Sequence, residues 1–248
     1  MKPDPRFQRQ PKTFWANVRT ISAQVGYTVP GRDQIRVPAI PEMIQALHDV
    51  GLQHTHIVDA QGQPTAAGQL ISEYFSYRAN ILNKFVKSRL MDASKAKAIF
   101  QRLCKKRKNC PLPLNKQKGE MRAPAYLTGI VNMIIEACSA GYECDYNPRA
   151  LTTVTRNDAP LRTLARWVDG AFPSAVNPIA VWEIKEYYYT TTFGCRVADG
   201  VYESLLDGME LEELREHEGI DVKHYVMIDA YDTWWNDGNE VDPKNWAP

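Results

Sequence analysis

The sequence predicts a mixed α/β protein of the α+β class, with a mainly helical first half and a second half that runs helix, three strands, helix, strand. Three observations predict this. Apolar residues recur at helical spacing between about residues 40 and 103, short β-rich runs begin near residue 150, and the charge is divided unevenly along the chain. We place the boundary between the halves at residues 122 and 123.

The 248 residues are enough for one large or two smaller cores. No run approaches the eighteen or so apolar residues of a membrane span, and the first residues lack the apolar segment of a signal peptide. We therefore expect a cytoplasmic protein without membrane contact. The five cysteines form no C-x-x-C pair, so reduced thiols without metal are expected.

The first half, residues 1–122, begins with a proline-rich arm. Ile40-Pro41-Glu42 then opens a helix that stops near Gly51, and Thr65 is a suitable N-cap for a long helix through about Val86. A helix, a short hairpin or loop, and a second helix are compatible with a winged-helix-like module. A third helical stretch covers residues 94–103.

The net charge of +1 averages two oppositely charged regions. Residues 78–122 hold fourteen Lys or Arg and two acids, a net of +12, whereas residues 199–248 hold fourteen acids and three bases, a net of −11. Such asymmetry indicates nucleic-acid contact. The expected DNA-binding residues are Lys105, Lys106, Arg107, Lys108, Lys116, Lys118 and Arg122. The acidic region is either a solvated face or a partner for the basic region of a second subunit.

The second half, residues 123–248, begins with an apolar helix over 125–140. Runs at 151–155 and 161–168, joined by a turn at 157–160, predict two strands, and 179–185 predicts a third, central strand because it is almost wholly apolar until its end. A helix over about 196–206 and a strand over 225–228 follow.

Three [Asp/Glu]-x-Lys strings occur, at positions 183, 221 and 242, while 29 acids and 14 lysines in 248 residues predict about 1.6 by chance. Only Glu183-Ile184-Lys185 ends a buried strand, where charged side chains are costly unless they are used. Glu183 and Lys185 share one face of that strand. Asp169, 14 residues earlier, is far enough upstream for a return strand to bring the two carboxylates side by side. Two such carboxylates can hold Mg²⁺ with phosphate oxygens and water.

With these residues and this order of elements, the region from about Ala125 to Ile228 resembles the αβββαβ core of the PD-(D/E)xK nucleases, the restriction-endonuclease-like family. The resemblance implies that Asp169 and Glu183 are the motif's acids and Lys185 its lysine. It further implies that both carboxylates and the backbone carbonyl of Ile184 hold Mg²⁺, for which Mn²⁺ can substitute. Val168 stands where the family's motif has proline.

Two further residues are candidates for the site. Glu136, on the helix before the strands, matches an acid that many family members carry there, and a position on the solvated face of that helix is equally compatible. Arg196 is a candidate contact for the scissile phosphate, with a surface ion pair to Asp199 as the alternative. For the motif itself the structural alternative is an ion pair between Glu183 and Lys185, with Asp169 capping a turn.

These features predict a Mg²⁺-dependent endonuclease that cuts double-stranded DNA at a specific sequence, as type II restriction enzymes do. By analogy with the family we expect a homodimer. The enzymatic alternative is a structure-specific nuclease of repair or recombination. The alternative from another class is a DNA-binding regulator that has a nuclease fold but no turnover.

Overall fold

A computed structural model describes residues 4–29, 33–106, 109–115, 119, 122–189 and 195–237, except the side chains of residues 195–196 and 236–237. The described chain divides into two compact units. One consists of the residues up to Leu90 together with those from Trp234 onward, and the other is Met91–Thr233. No helix among the described residues is long and apolar enough to span a bilayer.

The first unit is helical. Its helices are α1 (Pro5–Gln8), α2 (Lys12–Val25), α3 (Ile40–Asp49) and α4 (Ala66–Asn80), and α4 continues into a π-helical turn, Ile81–Val86. The Thr65 side chain accepts a hydrogen bond from the Gly68 N–H at 3.1 Å, which confirms the expected N-cap. Between α3 and α4 the structure has a single β-bridge, Val58 to Pro64, rather than a hairpin of full strands.

The second unit begins earlier than the sequence suggests, because α5 (Ala93–Cys104) packs on α6 (Tyr126–Cys138). The rings of Phe100 and Tyr126 lie 5.6 Å apart between these helices. The compact units therefore divide after Leu90 and not after residue 122. The basic run around residue 105 marks a surface segment, whereas the apolar faces of the helices decide which unit they join.

The strands of the second unit form two sheets. β1 (Thr153–Arg156) and β2 (Ala159–Thr163) make an antiparallel hairpin, and β3 (Gly170–Phe172), β4 (Ala180–Glu186) and β5 (Lys223–Asp229) make a three-stranded sheet in that order. β3 runs antiparallel to β4, and β5 runs parallel to it after the crossover helix α7 (Cys195–Glu218). The mixed α/β class is thus confirmed.

The segment 161–168, predicted as one strand, is not one. β2 ends at Thr163 and β3 begins only at Gly170. Between them, Leu164 and Val168 turn into the apolar core that they share with Leu211 and Leu214 of α7. α7 itself continues to Glu218, beyond the predicted end near residue 206, because these leucines extend its buried face.

Candidate active site

The two faces of β4 are covered by different helices. Val181 packs against the leucines of α7, whereas Trp182 and Ile184 pack against Leu127 of α6. Side chains alternate along a strand, so Glu183 and Lys185 share the α7 face with Val181. Both charged side chains are almost inaccessible, at 1% and 6% exposure. A carboxylate and an ammonium group are therefore buried between the sheet and α7.

Asp169 immediately precedes the neighbouring strand β3 and lies beside Glu183. The Asp169 N–H donates to the Trp182 carbonyl at 3.0 Å, and the Ile184 N–H donates to Asp169 Oδ2 at 2.7 Å. Asp169 thus bonds to the residues on both sides of Glu183. The pairing of Gly170 with Trp182 in the β3–β4 ladder fixes this arrangement.

Glu183 is paired with two cations. Lys185 Nζ donates to Oε2 at 2.8 Å, and Arg166 Nη1 lies 2.9 Å from Oε1. Arg166 comes from the segment between β2 and β3 and is itself largely shielded, with 23% of its side chain exposed. The Glu183 carboxylate is consequently flanked by positive charge on both oxygens.

Two acids of α7 complete the cluster. Glu203 and Asp207 are four residues apart and therefore adjacent on one face of the helix. Arg166 donates to Asp207 at 2.6 Å and to Glu203 at 3.2 Å, while Lys185 donates to Glu203 at 2.8 Å. We call Arg166, Glu183, Lys185, Glu203 and Asp207 the charge cluster. Its three carboxylates outnumber its two cations.

The surroundings shift the pKa values of the charge cluster. Burial lowers the pKa of Lys185 and of Arg166, but the neighbouring carboxylates outweigh this effect and both pKa values lie above their ordinary values. Burial raises the pKa of Asp207 to about 6, although Arg166 acts in the opposite direction. Both cations are therefore protonated at neutral pH.

Close contact with α7 also holds Tyr187 and the stem of Lys185. A Cβ placed on Gly200 would lie 2.3 Å from the Tyr187 hydroxyl and 3.3 Å from Lys185 Cδ. Only glycine leaves the space for both side chains to approach the helix. Arg166 and Asp207 were not expected at this site from the sequence.

Glu186, the next acid of β4, has a different role. It lies on the α6 face and accepts hydrogen bonds from the Tyr126 N–H at 2.8 Å and from the Thr128 N–H and hydroxyl at 3.2 and 3.3 Å. These groups belong to the first turn of α6, whose backbone N–H groups have no partners within the helix. Glu186 therefore caps α6 from the sheet.

The structure does not bring Glu136 to the Asp169–Glu183 pair. The residues of α6 that meet β4 include Leu127, whereas Glu136 accepts a hydrogen bond from the Asn109 N–H, in the segment that follows α5. It lies with the α5 side of the helix, and α6 itself packs on the sheet face opposite the charge cluster. The predicted catalytic role of Glu136 has no support from this placement.

The predicted DNA-binding residues are only partly described. Lys105, Lys106 and Arg122 are exposed. Those outside the described residues are Arg107, Lys108, Lys116 and Lys118. Arg196 lies in the first turn of α7, and its side chain is outside the described part of the chain. Among the described residues there is no group of three or more His, Cys, Asp or Glu side chains arranged to hold a metal.

Comparisons with known proteins give two family matches. A model described as "Domain of unknown function (DUF7687)" matches residues 91–241, and one described as "Domain of unknown function (DUF7690)" matches residues 1–85. Searches of curated proteins and of solved structures each found no match. The two matched segments agree closely with the two compact units.

Proposed function

Since the chain belongs to the family described as "Domain of unknown function (DUF7687)", a description that assigns no reaction, we propose its function from the site itself. The protein is a Mg²⁺-dependent deoxyribonuclease that hydrolyses phosphodiester bonds. The observation that carries this proposal is the placement of Asp169 against Glu183, with Lys185 on the same strand face. Two carboxylates can hold the metal ion, and a neighbouring lysine adds positive charge, which suits metal-assisted hydrolysis of a phosphodiester.

The donor groups suit Mg²⁺, which prefers carboxylate and carbonyl oxygens. Asp169, Glu183 and the carbonyl of Ile184 are the residues that would hold it. Asp207 Oδ1 is buried without a hydrogen-bond donor, so the site has acceptor capacity beside Glu183 for a further cation. Bound Mg²⁺ would supply an acidified water molecule and positive charge next to the phosphate.

Lys185 contributes a fixed positive charge. Its pKa lies above the ordinary value, and its stem is held against Gly200, so the ammonium group is protonated and restricted in position. A preorganised cation of this kind stabilises charge that develops on a phosphate, because little reorganisation is needed during the reaction. With the metal bound, the Lys185 ammonium group would be placed to donate a hydrogen bond to the attacking water.

The arrangement of elements supports the same proposal. α6 and α7 cover opposite faces of the three-stranded sheet. Asp169 immediately precedes β3, Glu183 lies on β4, and β5 follows α7 and runs parallel to β4. The antiparallel β3–β4 pair, followed by α7 and the parallel strand β5, is the part of the PD-(D/E)xK arrangement that supports the proposal, whereas β1 and β2 form a separate hairpin. We further propose double-stranded DNA as the substrate, cut at a specific sequence by a homodimer. The exposed cations Lys105, Lys106 and Arg122 support contact with phosphates.

Cleavage of plasmid DNA in Mg²⁺ tests the proposal. Glu183→Gln and Lys185→Met should each lower the cleavage rate at least about a hundred-fold, the order of magnitude for loss of one stabilising group. The surface string that contains Asp221 and Lys223 supplies the matched control, since these side chains pair with each other and are half exposed. Asp221→Asn and Lys223→Met should cleave like wild type.

Circular dichroism must show that all four variants are folded. If wild type cuts no DNA in Mg²⁺, or if the site variants cut as fast as the control variants, the nuclease proposal is lost. Run-off sequencing of the products separates the substrates, because a fixed cut site in linear duplex indicates restriction and cutting only at flaps or ends indicates repair.

A second candidate function is that of a DNA-binding protein without turnover. The observation that favours it is the charge cluster itself, in which Arg166 and Lys185 both pair with the Glu183 carboxylate. Under this alternative, wild type and Glu183→Gln bind duplex DNA equally and neither cuts it. Gel-shift titration beside the plasmid assay decides between the two functions.

A further inference from the structure

Of the two cations in the charge cluster, the proposed reaction gives a role to Lys185 and none to Arg166. Its guanidinium contacts all three carboxylates, Glu183 at 2.9 Å, Asp207 at 2.6 Å and Glu203 at 3.2 Å. Arg166 lies in the segment directly before Asp169, and two residues separate it from that acid. Arg166 is therefore close in sequence to Asp169, one proposed metal-holding residue, and forms an ion pair with Glu183, the other.

Positive charges compete for Glu183. A guanidinium is always charged and binds carboxylates through a planar set of donors, and Arg166 fills the region next to Oε1. A divalent cation bound by the same carboxylate would be repelled by Arg166, and the repulsion is strong because Glu183 is shielded from water. Arg166 and a divalent cation therefore compete for the Glu183 carboxylate, and each weakens the binding of the other.

We infer that Arg166 is an internal counter-cation that occupies the metal position at Glu183 and must be displaced before a divalent ion binds. The inference rests on the proposed metal site and adds that displacement of Arg166 controls access of the ion to it. Arg166 acts through Glu183 and is thus a positioning residue. Once displaced, its guanidinium is free of Glu183 and suited to a phosphate oxygen of the substrate.

A purely structural role for Arg166 predicts the opposite effect of removing it. If the guanidinium only held the three carboxylates in place, its loss would loosen them and weaken metal binding. If it occupies the metal position, its loss vacates that position and leaves three carboxylates with one cation, so metal binding strengthens. The direction of the change therefore separates the two roles.

The test is titration of the full chain with Mn²⁺ by calorimetry, without DNA. Arg166→Met should bind Mn²⁺ about tenfold more tightly than wild type, the scale on which neighbours of metal ligands act. Arg166→Lys, which restores the charge, should return the affinity toward the wild-type value. The matched control is Arg162→Met, because Arg162 pairs with Glu213 on α7 outside the charge cluster.

The gained affinity must also depend on Glu183. We expect the double variant Arg166→Met/Glu183→Gln to lose it. Equal or weaker Mn²⁺ binding by Arg166→Met overturns the inference, as does an equal gain in Arg162→Met. Plasmid cleavage by wild type is independent of these titrations, so failure of the inference and failure of the nuclease proposal are distinguishable.

Removing a buried cation can also prevent folding. In that case thermal unfolding of Arg166→Met and of the polar variant Arg166→Gln is followed with and without Mn²⁺. Recovery of a cooperative transition on adding Mn²⁺ supports the inference, because the ion then replaces the missing charge. A chain that remains unfolded in Mn²⁺ overturns it.

Discussion

Replacing Glu186 by alanine removes the acceptor that satisfies the first turn of α6. Two backbone N–H groups and the Thr128 hydroxyl lose their partner, at distances of 2.8 to 3.3 Å. Loss of a capping acceptor costs about 1 kcal/mol, and unpaired half-buried N–H groups and a lost charge at the helix N-terminus bring the total to about 2 to 3 kcal/mol. For a unit of this size that is a decrease in Tm of roughly 5 to 10 °C.

Thermal unfolding followed by circular dichroism measures this change, and plasmid cleavage well below the transition measures activity. We expect Glu186→Ala to be destabilised but active, Glu186→Gln to lose only about 1 kcal/mol because it keeps one acceptor oxygen, and Glu183→Gln to be folded but inactive. The assignment of the two acids to opposite faces of β4 would be refuted by a Glu186→Ala variant that melts within about 2 °C of wild type, or that is folded and inactive.

Three further predictions concern the stability of the second unit. Gly170→Ala should lower the free energy of unfolding by about 1 to 3 kcal/mol, because the added Cβ would lie 2.1 Å from the Trp182 ring; unchanged urea unfolding would contradict this. Burial raises the pKa of Asp207 to about 6 from 3.8, so its ionisation destabilises the folded state and the free energy of unfolding falls as the pH rises from about 4 to 6. Asp207→Asn should remove this contribution to the pH dependence of the free energy of unfolding. Identical pH profiles for variant and wild type would show that the pKa of Asp207 is not raised. Asp229 is buried and accepts hydrogen bonds from two backbone N–H groups and the Tyr188 hydroxyl, so Asp229→Ala should cost about 3 kcal/mol. A loss below about 1 kcal/mol in urea would mean that these donors find other partners.

The neighbourhood of Asp169 and Glu183 could be predicted because it depends on local rules. Strand alternation places Glu183 and Lys185 on one face, and a separation of 14 residues suits a short strand, a connection and a return strand. No packing information beyond the apolar run of β4 was needed for this step.

The partners of Glu183 could not be predicted in the same way. Arg166 lies in a segment in which apolar and polar residues alternate as in a strand. The position of its side chain depends on Asp207, 41 residues later in sequence. A usable signal did exist in α7, where Glu203 and Asp207 fall on the same stripe as Leu211 and Leu214. Acids on an otherwise buried helix stripe indicate that a cation faces them.

Glu136 and the domain boundary show a second limit. From sequence, an acid on α6 can face α5, the sheet or solvent. Only the packing of α5 on one side of α6 and of β4 on the other decides between these positions. The boundary at residue 122 followed from charge and proline content. Charge describes the surface, whereas the division of the units depends on apolar contacts such as that of Phe100 with Tyr126.

The two faces of β4 also protect the fold against misalignment of its strands. A slip of one residue would turn Glu183 and Lys185 toward the apolar side of α6 and place Trp182 among the acids of α7. Contacts on both faces of the sheet would then be unfavourable, so alignments shifted by one residue are not stable intermediates during folding. One residue inserted into β4 should therefore be far more harmful than one inserted at the Asn157-Asp158 turn of the β1–β2 hairpin, where the chain only changes direction.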